Sequence, residues 1–169
     1  KRVMAILNLQ NNYEQGPPMD LVEQVIRDQG WKFKRVHDDE MAAEYHGKWC
    51  DYSLHFAWSN EVSAFHFTCA FDVRIPKEKR HSVYQLLALV NDRLWLGHFI
   101  LWQDEGLPMY RHSLPLRGTS MSSEQIEDLL DISLAECERF YPTFQYVVWG
   151  GKPPEEALNA AIIDPVGEA

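Results

Sequence analysis

The sequence predicts an α+β fold, one antiparallel sheet packed by helices, and three observations carry that prediction. Tyr52, Leu54, Phe56 and Trp58 alternate with Asp51, Ser53, His55 and Ser59, and after a short connection Phe65, Phe67, Cys69, Phe71 and Val73 alternate with Ala64, His66, Thr68 and Asp72. Two such period-two runs joined so closely make a long hairpin. Val83, Leu86, Leu87, Val90 and Leu94 instead recur at helical spacing. No βαβ alternation of the kind that builds a parallel sheet occurs along the chain.

Pro17 and Pro18 suit a helix start, and Leu21, Val22, Val25 and Ile26 form one apolar stripe before Gly30 stops the helix. Trp31 and Phe33 then alternate with Lys32 and Lys34, Asp38 to Glu40 read as a turn, and Met41 to Tyr45 supply a second strand before the long hairpin. Pro76 opens the central helix, which the pattern carries to Gly97. His98 to Gln103 and Pro108 to Leu116 form a second hairpin around Asp104, Glu105 and Gly106.

Ser122 and Gln125 have capping-box spacing at the start of a long helix through Ile126, Leu130, Cys137, Phe140, Phe144 and Val148, which Pro142 is expected to kink or restart. Gly150 and Gly151 end it, and Pro153 and Pro154 begin a short last helix. The expected order is helix, three or four strands, helix, two strands, helix and a short closing helix. In outline this is α-β-β-β-α-β-β-α with a sheet of about five strands. Residues 1–16 read as an N-terminal arm and 17–169 as a single domain, the usual size for one core.

The net charge of −9, from 25 acidic and 16 basic residues, argues against nucleic acid or an anionic membrane as partner, because both reward clustered Lys and Arg. No stretch approaches the roughly 20 apolar residues of a membrane span. Cys50, Cys69 and Cys137 are odd in number and form no C-x-x-C motif, so they predict inert buried thiols in a reducing compartment. The apolar run at the start passes into Gln10, Asn11 and Asn12 with no cleavage pattern, and the expected location is cytoplasmic.

No G-x-S-x-G elbow, phosphate-binding loop or H-E-x-x-H motif occurs, so no catalytic or cofactor-binding residue is assigned. The strongest metal candidates are His55 and His66, which could face each other across the long hairpin, with His98 and His112 on the second. A metal-dependent sensor or enzyme built on His55 and His66 is therefore the alternative reading. The leading one rests on the central helix, where Tyr84, Ala88, Leu89, Trp95 and Leu96 spread apolar surface beyond the face a sheet would cover. Trp95, Phe99 and Trp102 cluster with that surplus, which marks either ordinary core or a surface for self-association or a partner.

The runs Trp49 to Leu54, Cys69 to Asp72, Leu86 to Asn91 with Leu94 to Phe99, Leu114 to Gly118, Cys137 to Pro142 and Trp149 to Pro153 together resemble the YbjN family of bacterial proteins. The resemblance extends from Pro18 to Ala169. It implies a sensory transduction regulator with a fold similar to type III secretion chaperones, which are small acidic homodimers that bind segments of partner proteins. It implies no catalytic residues and no cofactor. It also implies a homodimer in which Leu89, Trp95, Phe99 and Trp102 lie near the dimer or partner surface, with an unidentified protein as partner.

Overall fold

The computed structural model describes residues 17–163 of the chain, so the expected arm over 1–16 lies outside the described residues. Helix α1 (Met19–Asp28) is followed by four strands, β1 (Phe33–His37), β2 (Glu40–His46), β3 (Asp51–Ser59) and β4 (Ala64–Ala70). A 3-10 turn (Lys77–Lys79) leads into α2 (Arg80–Asn91), and β5 (His98–Trp102), β6 (Leu107–Pro115), α3 (Ser123–Val148) and α4 (Pro154–Ile163) complete the order. The sheet has six antiparallel strands, one more than expected, in the order β1-β2-β3-β4-β6-β5.

Alternation assigns the two faces of the sheet. Tyr52, Leu54, Phe56 and Trp58 of β3 and Phe65, Phe67 and Cys69 of β4 are buried beneath the helices, with Tyr110 of β6 and Phe99 of β5. The amphipathic α1 seals β2 and β3 with Met19, Val22, Val25 and Ile26, and α3 crosses the centre with Cys137, Phe140 and Phe144. Each large apolar side chain so buried contributes about 1.5–3 kcal/mol relative to exposure. The opposite face of the sheet receives no helix, and across β3 and β4 its side chains are small or polar, Ser53, Ala57, Ala64 and Thr68 with His55 and His66; toward β6 and β5 it carries Arg111 and His98 beside the apolar Met109, Leu107, Ile100 and Trp102.

Two expectations about the helices are corrected. Pro142 does not restart α3, which runs unbroken through it. The proline removes one N–H from the helical ladder, but Phe140, Tyr141, Thr143 and Phe144 are all buried around it, and packing of that kind outweighs local propensity. Likewise α2 stops at Asn91, six residues short of Gly97, because the Asn91 side chain is taken up by β5. Its Nδ2 donates to the Phe99 carbonyl at 3.0 Å, and its Oδ1 accepts the Phe99 N–H at 2.7 Å. The capping box of α3 forms as its spacing implies, with the Gln125 N–H donating to Ser122 Oγ and the Ser122 N–H to Gln125 Oε1.

Candidate functional site

Ending α2 at Asn91 releases Leu94, Trp95 and Leu96 into a loop before β5. The Tyr110 hydroxyl donates to the Leu96 carbonyl at 2.6 Å and fixes this loop against β6. Gly97 makes the approach possible: at φ 66° it lies in the left-handed region, and a Cβ there would run into the Tyr110 hydroxyl and the Arg111 carbonyl. The result is a tryptophan, Trp95, that is 100% exposed, beside Leu96 at 47%.

Next to this loop lies a cavity of about 210 Å³, walled on one side by Leu114, His112 and Tyr110 of β6 and on the other by Gln125, Asp128, Leu129 and Ile132 of α3. Leu96 also lines it, and Ile132 of its wall is exposed. This volume suits one or two inserted side chains rather than a drug-sized ligand. The lining is chiefly apolar. The first turns of α3 add acid to its surroundings, with Glu124, Glu127, Asp128 and Asp131 exposed or half-buried there.

The strand above the groove is only half paired. β6 bonds β4 along its length, whereas its pairing with β5 ends at Arg111 and His98. Phe99 gives its N–H and C=O to Asn91, so the residues of β6 that face β5 for bonding are Leu107, Met109 and Arg111. By the period of two, Ser113 points the same way with no strand opposite it. Beside the apolar groove, therefore, Ser113 has no strand opposite it, and the next residue of that side, Pro115, can offer only a carbonyl.

The four residues expected at a dimer or partner surface separate. Trp95 is wholly exposed, Trp102 is 44% exposed and Leu89 is half-buried against the core. Phe99 departs from the expectation: it is buried to 1% and packs its ring on Phe71, Tyr110, Phe140 and Phe144. β5 starts with its odd-numbered side chains toward α3, which places Phe99 inward and Trp102 outward. Trp95 and Trp102 stand at opposite ends of this strand, so they are parts of one edge rather than one cluster. The groove walls His112, Leu114, Leu129 and Ile132 were not legible as a site, because each fits its own local period and only the meeting of β6 with α3 joins them.

The expected histidine pairing is also corrected. His55 faces Thr68 and His66 faces Ala57, so the two imidazoles are diagonal neighbours. Each ring has its own partner: His55 Nε2 lies 2.6 Å from Glu40 Oε1, and His66 Nδ1 lies 2.6 Å from Ser113 Oγ. His98 Nε2 accepts from the Arg111 guanidinium, and His112 lies on the other face, in the groove wall. Among the described residues no group of three or more His, Cys, Asp or Glu is placed to hold a metal ion. The three cysteines are buried and unpaired. Burial pushes the Cys50 thiol up to about 12 and the Cys137 thiol well above its ordinary value, which leaves neither a ready nucleophile.

Burial, the first cause, holds His66, His98 and His112 below the usual imidazole value of 6.5. The Arg111 charge adds to it for the first two, and His98 adds to it for His112. At these three groups the unfolded chain takes up protons that the folded chain refuses, so their contribution to stability is full above pH 6.5 and declines as pH falls below it, while His46, held above the usual value by Asp51, works in the opposite direction. Calorimetry between pH 7.5 and 5 is expected to show a falling melting temperature, with a shallower fall in His66→Gln and His98→Gln.

Among the described residues no helix is long and apolar enough to cross a membrane. The sequence matches the YbjN family, described as "Putative bacterial sensory transduction regulator", over residues 18–146. The crystal structure of YbjN from E. coli, described as "a putative transcription regulator", has a TM-score of 0.54 to this chain at 15% identity, covering 87% of this chain and 93% of that one. At that identity the likeness is one of fold. No curated protein matches the sequence.

Proposed function

The chain belongs to the YbjN family of regulators, and from that premise we propose that it is a cytoplasmic, non-catalytic binding module that acts as a homodimer and holds an extended segment of a partner protein, in the manner of a secretion chaperone. The observation that carries this reading is the full exposure of Trp95 beside an apolar groove where Ser113 has no strand opposite it. A bare tryptophan adjoining Leu96, which lines the groove, is costly to leave in water and is the residue type that anchors protein interfaces. An added strand would gain main-chain hydrogen bonds from the edge at Ser113 and place alternate side chains in the groove. The acidic start of α3 favours a segment flanked by Lys or Arg.

Self-association is assigned to the α2–β5 edge, where Leu89, Trp95 and Trp102 present their exposed surface. Light scattering after gel filtration is expected to give twice the chain mass of 19.7 kDa. Trp95→Ala combined with Trp102→Ala is expected to return it to the chain mass with the protomer still folded, its circular dichroism unchanged and its melting temperature no longer dependent on concentration. A wild-type protein that stays monomeric at tens of micromolar, or a double variant that stays dimeric, would overturn the assignment.

A further inference from the structure

Arg111 sits in the middle of the sheet face that no helix covers, half-buried between β4 and β5. Its surroundings differ from those of the ion-paired arginines. Arg27, Arg35, Arg74 and Arg139 each lie within 3.8 Å of a carboxylate oxygen. Arg111 has no carboxylate within ion-pair range among the described residues, and its recorded side-chain partner is the His98 imidazole, whose Nε2 accepts from Nε at 3.3 Å and from Nη2 at 3.1 Å. A guanidinium carries five donors, and with only His98 as a protein side-chain partner most of those of Arg111 face solvent, open to an incoming acceptor.

The register sets what surrounds it. Thr68 of β4 and His98 of β5 are its direct cross-strand neighbours. His66 stands two residues from Thr68 on the same face of β4, near enough for the Arg111 charge to lower its proton affinity. Ala57, Ala64 and Ala70 keep the floor around His66 and Thr68 low on the β4 side, while Met109 and Ile100 bound the Arg111 guanidinium on the other. Arginine, two imidazoles and a hydroxyl on three adjacent strands form a donor set in search of an acceptor.

We propose that the open sheet face carries an oxyanion-binding site centred on Arg111 and completed by His98, His66 and Thr68, whose ligand is a phosphoryl group. The guanidinium turns from His98 to two phosphoryl oxygens as a bidentate pair. The Thr68 hydroxyl donates to the group, and His66 and His98 approach it from either side. The donors outnumber what a single carboxylate takes up, and they match three terminal oxygens. Once Arg111 no longer donates to it, the His98 Nε2 is free to take a proton, so binding and protonation support each other. The other ionisable groups on this face are Lys32, Lys34, the Glu40–His55 pair, Glu44 and the His46–Asp51 pair. Glu40 is occupied by His55 and does not neutralise Arg111.

The site is tested on the full chain with inorganic phosphate, followed by NMR of the imidazole Cε1–H and Arg111 Nε–H resonances, with acetate as the control anion. Phosphate is expected to shift the Arg111, His66 and His98 signals saturably, and to bind several-fold more tightly as the imidazoles protonate. Loss of a charge-assisted hydrogen-bond pair in Arg111→Gln is expected to raise the dissociation constant at least about tenfold. Thr68→Val, which preserves shape, weakens binding without disturbing the fold, and Lys34→Gln leaves the affinity unchanged. Titration with glycerol phosphate and with a phosphoserine peptide then tells whether the phosphoryl group arrives on a small molecule or on a side chain. Shifts that never saturate, shifts equal in wild type and Arg111→Gln, or acetate binding as tightly as phosphate would each overturn the proposal.

Discussion

Replacing Phe99 by alanine will cost the fold about 3–5 kcal/mol, the usual toll of removing a buried phenyl ring, and will do so whether or not the protein self-associates. The ring makes edge or tilted contacts with Phe71, Tyr110, Phe140 and Phe144 at centroid separations of 5.4–5.9 Å. It thus ties β5 to α3 and to the segment after β4. These neighbours are themselves fully buried and held by the sheet and by α3, so the cavity left behind cannot collapse. Urea unfolding is the appropriate measurement, read at unchanged slope. Trp95→Ala provides the contrast, because a side chain that is already 100% exposed in the protomer leaves the protomer's own stability within about 0.5 kcal/mol, and a larger loss that grows with protein concentration would report the lost dimer contact. A loss below 1 kcal/mol in Phe99→Ala would mean that β5 does not dock on α3 as described.

The second large effect belongs to Asn91. Its amide supplies both a donor and an acceptor to Phe99 on the outer edge of β5, and so acts as a one-residue imitation of a neighbouring strand. Asn91→Leu keeps the volume and removes both bonds, leaving a backbone N–H and C=O without partners under α2. At about 1–3 kcal/mol for each unsatisfied group, partly offset by water, a loss of about 2–4 kcal/mol is expected. Asn91→Asp, which retains the acceptor and loses the donor, should fall between the two. The variant also uncaps an edge strand, and such edges recruit other chains. Concentration-dependent association that appears in Asn91→Leu and not in wild type would be the accompanying sign in gel filtration. A variant as stable as wild type would show that water replaces the amide without penalty.

Asn91 also explains why part of the chain was misread from sequence. The apolar residues from Val83 to Leu96 continue a helical period, and nothing local distinguishes Val90, which is buried in α2, from Leu94 and Trp95 beyond its end. The helix ends where an asparagine has a better use for its side chain than solvent, and that use depends on a strand seven residues further on. The same argument applies to the surface residues. Phe99 and Trp102 look alike as strand aromatics near a helix, yet period two sends them to opposite faces, and the buried face is decided by what packs there. The first hairpin was legible because its two faces differ sharply in polarity. The strand from Phe33 was harder to delimit, since its Val36 falls where the register shifts between Arg35 and His37.

Sequence alone therefore determined the α+β class, the identity of most elements, the burial of the cysteines and the YbjN family. All of these follow from short-range periodicity and from ordered runs of residues. Tertiary structure alone decided which strands are neighbours. β6 inserts between β4 and β5, and that one choice sets Arg111 between Thr68 and His98, leaves the end of β6 unpaired over the groove and keeps His112 apart from the other histidines. Side-chain alternation is a property of each strand, but register and strand order arise from contacts between residues far apart in the chain, and no local pattern encodes them.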